Sequence, residues 1–288
     1  MITLINFNFS NVIKKTITGL KNMFQAHPYH LVDNSPWPFS ISWTLFYMAI
    51  GAVLSMQGFV MGSKLLLLGL LTTCGVMFFW FRDVNTEGTL LGNHTKEVKK
   101  GLVLGFLLFV ISEVMAFLSV FWAYFHSALS PSVELGGNWP PLGITPLDSF
   151  SIPLLNTFLL LSSGAFITYG HHTLIGGKRF DAITSIFITI ILALIFTMFQ
   201  YFEYVHADFS IADGVFGTVF YASTGLHGFH VIIGTIFIIV MFGRQILFYI
   251  NKQGHVGLES SILYWHFVDI VWLFLYMTVY VWGSNSSS

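Results

Sequence analysis

An acidic residue stands near the middle of an apolar stretch long enough to cross a bilayer: Glu113, within GLVLGFLLFVISEVMAFLSVFWAYFHSAL, residues 101–129. A membrane span takes about 20 apolar residues for a hydrocarbon core of roughly 30 Å. A helical rise of about 1.5 Å per residue sets Glu113 about 18 Å in from Gly101, close to the midplane. A charged residue there costs on the order of 2.5–3.5 kcal/mol on insertion scales, so it faces protein or a watered cavity and is a functional candidate by default. Two further pairs have the same character. His227 and His230 lie three residues apart in the apolar stretch 215–249, and His266 and Asp269 lie three apart in 260–282. Each pair shares a helix face. His227 and His230 fall about 15–20 Å from one end of their span, and His266 and Asp269 about 9–14 Å from the opposite end of theirs. The five residues make one predicted polar layer.

Three chemistries suit such a layer. The first is interhelical hydrogen bonding that fixes the register of three spans, each bond worth at most about 2 kcal/mol. The second is proton handling, since imidazoles and carboxyls in hydrocarbon titrate near neutrality and form relays. The third is metal or haem ligation by two histidines and a carboxylate or by facing histidines. Spacing alone leaves all three open. Elsewhere, Glu203 and His206 form a Glu-x-x-His pair, the spacing used twice in di-iron bundles. The sequence holds no second copy, and an interfacial ion pair or wetted pair is expected at that span end. His171 and His172 sit at a helix end, where they complement the dipole. Cys74, the lone cysteine, reads as a small buried hydrophobe and excludes an internal disulfide. Phosphate loops, nucleophile elbows and paired-carboxylate hydrolase patterns are not visible.

The elements that must position these residues are membrane helices. Of 288 residues, 55 % are hydrophobic and 9 % charged, against about 25 % charged in soluble chains, and the mean hydropathy is +0.75. The net charge of −1 gives no argument for nucleic acid. Seven spans are expected, at 38–60, 65–81, 101–129, 152–174, 182–204, 215–249 and 260–282. The first two, joined through Met61–Lys64, must form a tight hairpin. With the N-terminus inside, eleven of the twelve Lys and Arg residues fall on one side and Lys64 alone on the other, as the positive-inside rule requires. The first 24 residues, basic and without an acidic residue, read as an ordinary frayed terminus rather than a leader. The proline-rich connection 130–151 is expected to be an ordered cap. Gly58/Gly62, Gly101/Gly105 and Gly225 with Gly228 are expected at helix packing seams. The 82–100 loop gathers Glu87, Thr89, His94, Lys96, Lys99 and Lys100, with Arg244 at the same level. This suits an anionic lipid head group, or plain topogenic charge.

Seven stretches carry a resemblance: HPYHLVDNSPWP (27–38), FRDVNTEGTLLGNHT (81–95), ISEVMAFLSVFWAYFHSALSP (111–131), NWPPLGI (138–144), IPLLNTFLLLSSG (152–164), TGLHGFHVIIGT (224–235) and YWHFVDIVWLFLY (264–276). In this order the sequence resembles the third subunit of mitochondrial cytochrome c oxidase, from His27 nearly to its end. The resemblance implies an all-α membrane protein of seven transmembrane helices: an inner-side tail (1–37), a hairpin (38–82), an inner loop (83–100), a five-helix bundle (101–283) and a short tail (284–288). A phospholipid-filled cleft separates hairpin from bundle. It also implies a non-redox core subunit without catalytic centre, haem, copper or metal of its own. Those groups belong to subunits one and two, its partners together with small accessory subunits and anionic phospholipid. The implied role is to stabilise the oxidase and support proton uptake. The implied setting is the mitochondrial inner membrane, N-terminus on the matrix side. Glu87, His94 and Arg244 match residues near lipid head groups, and Glu113 matches a carbodiimide-reactive glutamate off the obligatory pumping route. The chain departs from the family where an arginine usually follows the start of the third span, here Leu102 and Val103, and where Asn93 precedes His94 in place of a His pair. The rival from the residues alone is a stand-alone proton or ion transporter using the polar layer. Inverted repeats would favour it, and the seven spans show none.

Overall fold

The computed structural model describes residues 27–133, 136–252 and 254–284, so the expectations for the first two dozen residues and the terminal serines lie outside it. Among the described residues, seven helices are long and apolar enough to cross a membrane. The chain divides into two units, one up to Leu102 and one from Val103 on.

The first unit is built on α1, Trp37–Met56, and α2, Val60–Thr89. α1 opens with Pro38 at its second position, where a missing N–H costs nothing. The turn falls at residues 57–59, ahead of the expected Met61–Lys64, because Gly58 takes a φ of +80° that few other residues tolerate. Gly58 is therefore the turn residue, not a packing residue. The seam is made by Gly51, Gly62 and Gly69. A Cβ on Gly51 or Gly62 would overlap the backbone of Leu66 or Ser55, and one on Gly69 would lie 2.8 Å from Met48 Cα. This spacing lets the two backbones touch. Cys74 falls off the seam and is exposed rather than buried.

α2 also runs eight residues past its expected exit at Phe81, so the anticipated 82–100 loop shrinks to residues 90–95. Asp83 explains how the helix leaves the apolar zone with its charges satisfied. Its Oδ1 accepts two N–H bonds from Arg82 at 2.9 and 2.8 Å, and its Oδ2 accepts one from Trp37 Nε1 at 2.7 Å. The polar residues that follow continue the helix to Thr89, and the chain reverses through Gly92 at φ +69°.

The second unit takes in α3 (Lys96–Ala128) from Val103, α4 (Ile152–Ile175), α5 (Arg179–His206), α6 (Gly214–Ile246) and α7 (Val256–Leu275). α7 continues as a π-helical segment, Tyr276–Trp282. α4 packs on α5, α5 on α6, α6 on α7 and α7 back on α4, closing a four-helix ring. Trp265 and Trp272 of α7 are fully buried in it. Each indole N–H donates to a hydroxyl of α4, Trp265 to Ser163 at 2.9 Å and Trp272 to Thr157 at 3.0 Å. Burying an indole demands such a partner. α3 meets the ring through long aromatic side chains, Phe106 on Phe237 and Phe117 on Phe267. The expected small-residue seams do not form here. A Cβ on Gly101, Gly105, Gly225 or Gly228 would meet nothing within 4 Å, whereas on α6 a close approach to α7 falls at Gly234, 3.0 Å from the Trp265 ring. The described part of the 130–151 connection, from residue 136 on, packs as a cap: Trp139 packs on Tyr124 and Phe216, and Tyr276 donates to the Ser149 carbonyl at 3.3 Å.

Candidate functional site

Glu113 of α3 meets His230 of α6, with Oε2 and Nε2 2.8 Å apart. The other imidazole nitrogen fixes what this contact is. His230 Nδ1 lies 2.8 Å from the Leu226 carbonyl, one turn back on α6. A carbonyl only accepts, so Nδ1 donates. The contact with Glu113 then requires one proton between Nε2 and Oε2, carried either as a neutral acid or as an imidazolium. Phe117 packs on the imidazole at a ring separation of 4.9 Å, and Tyr264 and Phe267 close its other sides at 6.2 Å each. The His230 side chain is 6 % exposed and that of Glu113 25 %.

The other members of the layer go to separate seams. His227, fully buried between Phe196 and Trp272, donates from Nε2 to the Val268 carbonyl of α7 at 3.2 Å. That bond brings His227 level with His266 and Asp269. Those two instead face α4. His266 Nε2 lies 3.0 Å from the Thr168 hydroxyl, whose own hydrogen goes to the Gly164 carbonyl. Asp269 Oδ2 lies 3.7 Å from His266 Nδ1. The Asp269 carboxyl fits only because residue 164 is glycine: a Cβ there would overlap Oδ2. The five residues thus lie at one level and divide among three seams: Glu113 with His230 on α3–α6, His227 on α6–α7, and His266 on α7–α4 with the Asp269 carboxyl 3.7 Å away.

Glu203 is where the expectation fails. It lies near the end of α5 as expected, but it is buried rather than wetted and does not pair with His206. The carboxyl is buried, accepting from Tyr280 at 2.5 Å and from the Gln200 amide at 3.2 Å. Gln200 also accepts from Asn156 of α4 at 3.4 Å. His206 is exposed and bonds the Phe202 carbonyl of its own helix. The reason is helical phase. Gln200 and Glu203 are three apart and point into the ring, while His206 emerges past its end. A polar residue one turn before Glu203 was the signal in the sequence.

Among the lipid candidates, Glu87 and His94 come together, and His30 joins them; one nitrogen or oxygen of each lies within 4.8 Å of the others. Thr95 donates to the Pro28 carbonyl at 2.5 Å, which holds the 27–30 segment against the loop. Partial burial lowers the His94 pKa from its usual 6.5, helped by the neighbouring His30 and Lys99 and opposed by Glu87. His30 was not singled out in the sequence, because only the chain's return brings it here. Arg244 belongs to the second unit, on α6, with a guanidinium nitrogen 3.9 Å from Met241 Sδ.

Fold and site together define a polytopic helical membrane protein whose buried polar groups join helix to helix, with an acid–imidazole pair at mid-span. The family model of cytochrome c oxidase subunit III matches residues 27–284. The chain is 59 % identical over 267 residues to cytochrome c oxidase subunit 3 of Schizophyllum commune, covering 93 % of this chain and 99 % of that one. It is 54 % identical over 265 residues to the subunit 3 of Podospora anserina (92 % and 98 % covered). With that of Arabidopsis thaliana the figures are 52 % over 259 residues (90 % and 98 %). The chain belongs to the cytochrome c oxidase subunit III family and is a core subunit of the respiratory oxidase.

Proposed function

We propose that this chain is the non-redox stabilising subunit of the oxidase, set in the mitochondrial inner membrane beside subunits one and two, which hold the haem and copper. Its part is to steady the catalytic subunit over many turnovers and to support proton uptake from the matrix side, while small accessory subunits and phospholipid surround it. The observation that carries this reading is the engagement of the mid-membrane imidazoles within the chain. Both nitrogens of His230 are committed, to Leu226 and Glu113, and Nε2 of His227 donates to the Val268 carbonyl while its Nδ1 has no partner. An imidazole engaged at both nitrogens, as His230 is, joins helices rather than holding a redox group. The eleven-to-one distribution of basic residues supports an N-terminus on the matrix side and a C-terminus on the intermembrane side. Glu87 and His94, with Arg244 as a second contact, are proposed to meet anionic phospholipid head groups at the basic level.

Gentle purification through a tag on this chain, followed by an optical difference spectrum and identification of the co-purifying chains, tests the reading. Haem absorption that stays with two larger partners and leaves with them when this chain is stripped away is the expected result. A chain that runs alone with haem bands of its own overturns it, and one that runs alone and colourless restores the transporter.

A further inference from the structure

His171 near the end of α4, His255 immediately before α7 and Glu259 in its first turn converge at the basic end of the helical ring. One ligand atom from each lies within 4.8 Å of the other two. His255 Nδ1 is 3.1 Å from the Asn251 carbonyl and must donate to it. Its Nε2 is thereby turned on Glu259 Oε1, also at 3.1 Å. A lone pair facing a carboxylate at that distance calls for a cation between them. A proton would satisfy these two atoms and leave the third unserved: His171 Nε2 is buried and has no hydrogen-bond partner. Its ring stands 5.4 Å from that of His255. A divalent ion serves all three atoms at once. The backbone carbonyl on the far nitrogen of His255 is the arrangement that orients metal-bound histidines. Two imidazoles and a carboxylate match the donor set of zinc, bound at about 2.0–2.2 Å with a fourth position for water.

We propose that His171, His255 and Glu259 form a binding site for a divalent transition-metal ion, zinc by preference. The ion would tie the end of α4 to the start of α7, closing the ring at its basic end.

The test is made on the complex purified through this chain. It is equilibrated with zinc ion near pH 7.5, freed of loose metal, and analysed for zinc per complex and by zinc-edge X-ray absorption. The expected result is one retained equivalent with histidine nitrogen in its shell, weakened at least tenfold by Glu259→Gln and by His255→Ala. His30→Asn, in the separate His30, Glu87 and His94 group, leaves that equivalent in place. Glu259 is exposed, so Glu259→Gln reports on the ligand rather than on folding, and partner stoichiometry confirms assembly. Unchanged retention in both variants overturns the proposal, as does a wild-type zinc shell made of oxygen alone. Absence of the partner chains would count against the oxidase reading and is scored separately from the zinc.

Discussion

His230 presents Nε2 to Glu113 Oε2 at 2.8 Å while its Nδ1 is held by the Leu226 carbonyl at the same distance. α3 is therefore joined to α6 by a bond that needs one proton to exist. α3 meets its neighbours through side chains rather than through close backbones, so this bond carries an unusual share of its placement.

Glu113→Gln keeps the geometry, because the amide N–H donates to Nε2 in place of the shared proton. Oxidase carrying it is expected to begin turnover near the wild-type rate and to lose activity sooner under sustained turnover. Oxygen-consumption progress curves read both quantities, and an immediate loss of most activity contradicts the expectation. Glu113→Ala leaves Nε2 unpaired in an apolar setting, at a cost of about 1–2 kcal/mol, and is expected to lower the melting temperature.

Tyr280→Phe removes the shortest bond to a buried carboxyl. Interhelical bonds in membranes average about 0.6 kcal/mol and reach about 1.7 kcal/mol. The upper end is expected here, because Glu203 Oε2 already has no partner. Glu203→Gln, which retains a polar group for Tyr280 and Gln200, is expected to cost less. Thermal unfolding of the two variants in one detergent compares them directly. His206→Ala is expected to change little.

The hairpin offers a contrast between glycines. Gly51→Val places side-chain atoms where the Leu66 backbone stands, an overpacking worth about 1–3 kcal/mol or more. Gly228→Ala meets nothing within 4 Å and is expected to leave folding of the chain unchanged. Cysteine cross-linking between α1 and α2 reports the first, and expression with thermal unfolding the second.

His94 makes the 90–95 turn sensitive to acid. Its folded pKa lies below the usual 6.5, chiefly through burial, so the folded form disfavours the proton. The associated stability is full above pH 6.5, falls as pH drops below that value, and levels off beneath the folded pKa. Amide protection factors in residues 90–95, corrected for the intrinsic rate at each pH, are expected to fall across that window, and His94→Gln is expected to flatten the dependence.

Seven spans, their order and the common level of the polar residues were legible in the sequence, because apolar length and the position of a polar residue within it are local properties. Helix ends were less so. α2 continues through a polar segment that hydropathy ends at Phe81, since a helix needs only its own backbone bonds once it reaches water. Which residue answers which was decided by the tertiary structure. His227 and His230 stand one turn apart with the same composition around them, and only the rotation of α6 sends one to Glu113 and the other to Val268. Glu203 looked interfacial by position and is buried by phase. His171, His255 and Glu259 are spread over 89 positions of chain. They meet because α7 packs back on α4, a contact set by the fit of two tryptophans against small hydroxyl residues, which linear spacing does not encode.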